Sequence, residues 1–227
     1  PTIDRKDRER INTVSAILSG AAMSDVVAAA QEKIDQMSLP SGISIQLSGT
    51  YEDQQDSFGD LFTLMYLIVI LVFIVMAAQF ESLTYPFIIM FSIPLAFTGG
   101  FIALLLTGQE VNVLAMLGFI MLAGLIVNNG IVLIDYINQA RKAGVSKHEA
   151  IISSGKTRVR PILMTVLTTV LAMLTTALGI GDGSDMMRPM AITLIGGLVY
   201  GTVLTLIVIP CIYDMFHREK NMVEEEL

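Results

Sequence analysis

The chain has 227 residues, of which 53% are hydrophobic and 15% charged, against roughly 25% charge in an ordinary soluble domain. Its net charge is −7, with two histidines and one cysteine. These numbers exclude an intrachain disulfide and a cysteine–histidine metal cluster, and no basic, aromatic-laced patch offers itself to nucleic acid. They describe a multi-spanning membrane protein whose charges are confined to short stretches between apolar runs.

The chain opens on Pro1, without an initiator methionine or a charged-then-apolar leader. Pro1 to Asp7 reads as the middle of a domain, and the sequence is expected to be a fragment. Residues 11–19 partly alternate, with Val14, Ala16 and Leu18 on one face, as in a half-buried strand. A helix is expected from Ser24 or Asp25, either one a suitable N-cap, with Val27, Ala30, Ile34 and Met37 at helical spacing. Pro40-Ser41-Gly42 should break it, and Ile43, Ile45 and Leu47 alternate again as a second strand. A β-α-β unit of this size cannot bury its own core, so residues 1–57 should complete a larger domain. The polar run Glu52-Asp53-Gln54-Gln55-Asp56 leads into the first apolar segment, as a helix that continues out of the membrane.

A bilayer core needs about 20 consecutive apolar residues in a helix. Five charge-free segments approach or meet that length: 61–78, 85–106, 111–134, 161–180 and 189–213. With their flanks they give transmembrane helices at about 58–80, 85–107, 111–138, 160–181 and 187–216, followed by a tail over 217–227. Buried helices of a soluble protein are shorter and keep a polar stripe. The fold class expected is a membrane all-α bundle of five transmembrane helices with an N-terminal extracytoplasmic α+β piece.

Lys and Arg set the orientation. The 135–160 loop holds Arg141, Lys142, Lys147, Lys156, Arg158 and Arg160, and the tail adds Arg218 and Lys220. The short connections on the other side, around 107–110 and 181–188, hold only Arg188. The 135–160 loop and the tail are therefore expected in the cytoplasm, and residues 1–57 outside.

Polar groups inside spans are expensive and tend to mark function. The third span carries Asn128 and Asn129 in tandem. They serve either as interhelical hydrogen-bonding groups or as neighbours of a proton or ion path. In the fourth span Thr165, Thr169 and Thr176 fall on one side, with hydroxyls that line that side or bond back to their own helix. Gly124 in the third span, and Gly197 and Gly201 in the fifth at a Gly-x-x-x-Gly spacing, are candidates for close helix packing. Cys211, inside an apolar run, reads as a small buried packing residue, and the 14 methionines read as core filler. No P-loop, Ser-His-Asp set or phosphate cradle appears, so no enzyme activity and no cofactor are expected, and work would draw on an ion gradient.

The run from Met116 to Gln139, centred on Gly124-Leu125-Ile126-Val127-Asn128-Asn129-Gly130, resembles the tenth transmembrane helix of acriflavine-resistance-type efflux pumps of the RND superfamily. Arg158-Val159-Arg160-Pro161-Ile162-Leu163-Met164-Thr165 is similar to the start of their eleventh helix. Ala78-Gln79-Phe80-Glu81-Ser82-Leu83 and Ile209-Pro210 look like their eighth-to-ninth helix loop and twelfth helix. The resemblance covers the whole chain. It implies helices eight to twelve of a twelve-helix secondary transporter of the bacterial plasma (inner) membrane. Residues 1–57 would end a ferredoxin-like porter subdomain.

The resemblance further implies a homotrimer, an amino-terminal half that carries the proton-binding aspartates, export of drugs or other amphiphiles by proton antiport, and a periplasmic adaptor and outer-membrane channel as candidate partners. Because the halves of such pumps are parallel repeats, Asn128 and Asn129 would take the place of the aspartate pair and face it across the bundle. Thr165 and Arg158 match positions tied to the relay and its cytoplasmic mouth. Asn128 departs from the best-known members, which carry a lysine there, so the salt-bridge form of the switch lacks its cation at this position. Other substrate classes (heavy metals, lipids or surfactants) and a non-transporting scaffold or sensor are the rival readings. Metal export would favour methionines or acids along the transport path.

Overall fold

A computed structural model of the chain describes residues 4–6, 9–16, 23–40, 42–45, 47, 50–181 and 183–216. It divides into two units, residues 1–55 and 56–227.

In the first unit, strands β1 (Asp4–Lys6) and β2 (Glu9–Ile11) pair antiparallel, with Asp4 opposite Ile11 and Lys6 opposite Glu9. Helix α1 (Met23–Asp35) follows. The expected β-α-β unit is corrected here. Residues 12–16 are irregular, 17–22 lie outside the described residues, and 43–45 and 47 are irregular as well. A strand requires a neighbour to accept and supply its ladder hydrogen bonds. Apart from Ile11, which pairs with Asp4, neither alternating segment has one among the described residues. Helix α1 begins at Met23, so Ser24 and Asp25 lie within its first turn rather than at its cap, and it ends at Asp35, before Pro40.

The second unit holds five helical segments long and apolar enough to cross a membrane. They comprise α2 (Thr50–Phe80), whose first six residues belong to the first unit, α3 (Thr84–Met90) with α4 (Ser92–Thr107), α5 (Val113–Lys142), α6 (Lys147–Ala177) and α7 (Ser184–Phe216). The run Glu52–Asp56 belongs to the first turns of α2. The second apolar segment is two helices, because Pro94 has no N–H for the Met90 carbonyl and its ring crowds that carbonyl, so the helix breaks at Phe91. The chain turns between α2 and α3 at Glu81, a non-glycine residue at φ 50°.

The expected 135–160 loop is also corrected. Helix α5 runs to Lys142 and α6 starts at Lys147, leaving only residues 143–146 as a turn. The cap signals account for this. The Ser146 side chain accepts from the Glu149 N–H at 3.4 Å, Glu149 sits in the first turn of α6, and Arg141 and Lys142 sit in the last turn of α5.

Helices α4, α5 and α7 form the centre, with α3 at one end, whereas α2 and α6 are little buried. Ala96, Leu122, Ile126, Leu194 and Leu198 anchor one apolar cluster, and Ile89, Leu133, Ile137, Ile209 and Tyr213 anchor a second. Small residues bring α4 and α7 together. A Cβ on Gly99 would lie 2.8 Å from the Gly196 carbonyl oxygen, and one on Gly196 would overlap the Ala103 methyl.

Two packing expectations fail. Cys211 is exposed. The methionines divide: Met76 and Met116 are buried, whereas Met121, Met164, Met186, Met187 and Met215 are exposed.

Candidate functional site

Helix α5 starts where the Asn112 side chain accepts from the Ala115 N–H at 2.8 Å. From that cap it presents two faces. Leu122, Ile126, Asn129, Gly130 and Leu133 are buried. Leu117, Met121, Gly124 and Asn128 form an exposed stripe at helical spacing. The two asparagines are thus split between faces, since consecutive helical residues point about 100° apart. Asn129 is 7% exposed and turns inward. Asn128 turns outward, to the side that this chain leaves open.

The glycines separate in the same way. A Cβ on Gly197 would overlap Leu122, and one on Gly201 would lie 2.7 Å from the Ala96 Cβ and 2.9 Å from Ile126 Cδ1. Both therefore hold α7 close to α4 and α5. Gly124 does not pack here: it is exposed, and an added Cβ would meet nothing within 4 Å. It belongs to the open stripe beside Asn128.

Helix α6 contributes the remaining residues. Thr165 Oγ1 donates to the Ile162 carbonyl at 2.8 Å and Thr169 Oγ1 to the Thr165 carbonyl at 2.9 Å. Both hydroxyls are satisfied within their own helix while their side of α6 stays largely uncovered. The Arg158 guanidinium lies over the Tyr136 ring, 5.0 Å from its centroid. The Tyr136 hydroxyl donates to Thr157 Oγ1 at 3.4 Å. Arg158 is thereby joined to α5 eight residues from Asn128, about 12 Å along the helix at 1.5 Å per residue.

Chemically, the asparagine amides offer hydrogen bonds without charge, so neither can carry a proton as a titrating group. The fixed positive charge nearby is that of Arg158. Among the described residues no group of three or more His, Cys, Asp or Glu could hold a metal ion.

One polar cluster escapes a reading by segment. Arg141 Nη1, Tyr213 and Asn138 join the ends of α5 and α7 through the buried Tyr213 hydroxyl, and Lys147 Nζ pairs with Asp214 Oδ1 at 2.8 Å. Its only local signal is that Asn138 and Arg141 are three apart, on one face of α5. Tyr213 is 72 residues away.

Comparison with known proteins places this geometry. The AcrB/AcrD/AcrF family profile matches residues 1–217. The swarming motility protein SwrC of Bacillus subtilis is 35% identical over 99% of this chain and 22% of its own length. The cobalt-zinc-cadmium resistance protein CzcA of Cupriavidus metallidurans is 33% identical over 98% of this chain and 21% of its own. A crystal structure of a heavy metal efflux pump superposes with a TM-score of 0.77 at 34% identity, covering 87% of this chain and 20% of the pump. The chain therefore spans about a fifth of the length of the relatives it matches.

Proposed function

From the premise that this chain belongs to the AcrB/AcrD/AcrF family of RND transporters, we propose that it is the membrane portion, helices eight to twelve, of a proton-driven efflux pump for drugs or other amphiphiles. Its task is to supply one wall of the energy-coupling path. The observation that carries this reading is the exposed stripe Leu117-Met121-Gly124-Asn128 on the most buried of the five spans. A span that presents an asparagine and a bare glycine to one side is shaped for a close helix neighbour that the described residues do not supply.

That neighbour is taken to be the repeat-related helix of the amino-terminal half, with its proton-carrying carboxylates facing Asn128. Asn128 hydrogen-bonds to them whether or not they hold a proton, and Arg158 supplies positive charge toward the cytoplasmic end. The pump works as a homotrimer in the inner membrane. Residues 1–57 lie outside, the 143–146 turn and the tail inside, and a periplasmic adaptor and outer-membrane channel are candidate partners.

A second reading changes the cargo only. CzcA is named for cobalt, zinc and cadmium resistance, and the superposed structure is titled a heavy metal efflux pump, which favours divalent metal export. One experiment separates the two. The full-length protein is expressed in a host stripped of its own RND pumps, and resistance to amphiphilic drugs and to cobalt, zinc and cadmium is measured. Drug resistance abolished by a protonophore supports the first reading, and metal resistance alone moves the cargo to the second. No energised export of either kind would sink both.

A further inference from the structure

Among the described residues, three buried side-chain polar atoms lack a hydrogen-bond partner: Arg158 Nε, Thr202 Oγ1 and Thr205 Oγ1. Arg158 stands apart, over Tyr136 of α5, whereas Thr202 and Thr205 are three residues apart on one face of α7. On α5, Ile126 meets Gly201 and Gly130 meets Ile209, so buried Asn129 falls at the same level.

The two threonines differ from five others in the described helices. Thr63, Thr107, Thr168, Thr169 and Thr193 each donate to the carbonyl four residues back. Thr202 and Thr205, each 1% exposed, do not use that outlet, although their helix continues on both sides. The backbone adds to the demand at this height. Pro210, inside α7, has no N–H to give to the carbonyl of Leu206, the residue after Thr205. Unpaired polar groups at membrane depth cost several kcal/mol each, and ordered water is one of the means by which proline-freed carbonyls are satisfied.

We infer that Thr202 and Thr205, with Asn129 beside them, hold ordered internal water between α5 and α7. Water suits this set because the freed Leu206 carbonyl accepts only, while each threonine hydroxyl both donates and accepts. An anion would satisfy the hydroxyl donors and leave the carbonyl unmet. The site makes the inner side of α5 wet at Asn129, one residue from the outward-facing Asn128. It requires nothing of the cargo and nothing of the amino-terminal half.

The test uses the full-length protein with Thr202→Val and Thr205→Val together, which keeps shape and removes both hydroxyls. If the threonines hold water, the thermal midpoint falls by a few degrees and Thr202→Ser with Thr205→Ser restores it. If the site is dry, or the hydroxyls bond to their own helix, the valine pair leaves the midpoint unchanged or raises it, and the inference is overturned. A density map of the parent protein at water-resolving resolution serves if the variants do not fold. A peak within hydrogen-bond reach of both Oγ1 atoms is expected. No peak there, or one that follows added halide, would overturn the assignment.

Discussion

Arg141 Nη1 donates to the Tyr213 hydroxyl at 3.2 Å, and that hydroxyl donates in turn to Asn138 Oδ1 at 2.9 Å. Both Arg141 and Tyr213 are buried. The Tyr213 ring also stacks on Tyr85, with centroids 6.1 Å apart and planes 13° apart, so one side chain ties α3, α5 and α7 at the same end. Tyr213→Phe preserves the stack and the packing and removes only the hydroxyl. Leaving a buried charged donor and an amide without their shared partner costs about 1–3 kcal/mol. A lowered thermal midpoint for the phenylalanine variant of the full-length protein is the expected result. A variant as stable as the parent would show that the hydroxyl contributes nothing net.

The α4–α7 contact makes a second prediction, one of shape. A methyl on Gly196 overlaps the Ala103 methyl and presses on the Gly99 carbonyl oxygen. Overpacking of a tight interior typically costs about 1–3 kcal/mol. Gly196→Ala should therefore lower stability, and adding Ala103→Gly should recover the part of the loss that comes from the methyl overlap, leaving the contact with the Gly99 carbonyl oxygen. If the double variant is no better than the single one, the helices are separating for another reason.

Asn128 and Asn129 should behave oppositely, though they are adjacent. Asn128 is exposed on the open stripe, so Asn128→Leu should change the stability of this bundle by less than about 0.5 kcal/mol. On the proposed function, it should nonetheless reduce efflux by the full-length protein. Asn129 is buried, and Asn129→Leu should lower the thermal midpoint, with any loss of transport following from that. Efflux by Asn128→Leu equal to the parent's would make Asn128 a bystander.

The helices were legible in the sequence because a charge-free run of bilayer length is hard to place anywhere but across a bilayer, and the family was legible in the Met116–Gln139 run. The first unit was not. Alternation at Ile43, Ile45 and Leu47 reports which face a strand would bury, but whether a strand forms depends on a partner that the local pattern does not encode. The split of Asn128 from Asn129 follows from helix geometry, yet which of them turns inward is decided by Gly130 meeting Ile89 and Ile209, contacts from distant segments. The exposure of Cys211 and of several methionines was hidden for a related reason. In a membrane helix an apolar residue is as well placed facing outward as inward, so hydrophobicity alone does not assign burial. The Arg141–Tyr213 tie is long-range and had no signature beyond the spacing of Asn138 and Arg141.

The lengths of α5 and α6 alter what the basic residues say about orientation. Helix α6 has 31 residues, about 46 Å at 1.5 Å per residue, against about 30 Å of hydrocarbon. The excess lies at its amino-terminal end, where Lys147, Lys156, Arg158 and Arg160 precede Pro161. The charges that bias topology are thus carried on a helical hairpin projecting from the membrane, closed by the four residues 143–146, and not on a slack loop. A cytoplasmic hairpin predicts graded labelling. In a Cys211→Ser background, Ala143→Cys and Lys156→Cys should react with a membrane-impermeant maleimide only after the cytoplasmic side is opened. Glu110→Cys, exposed between α4 and α5, should react in cells whose outer surface alone is accessible. Labelling of Ala143→Cys from outside would invert the topology and move the 1–57 region into the cytoplasm, where a porter subdomain could not act.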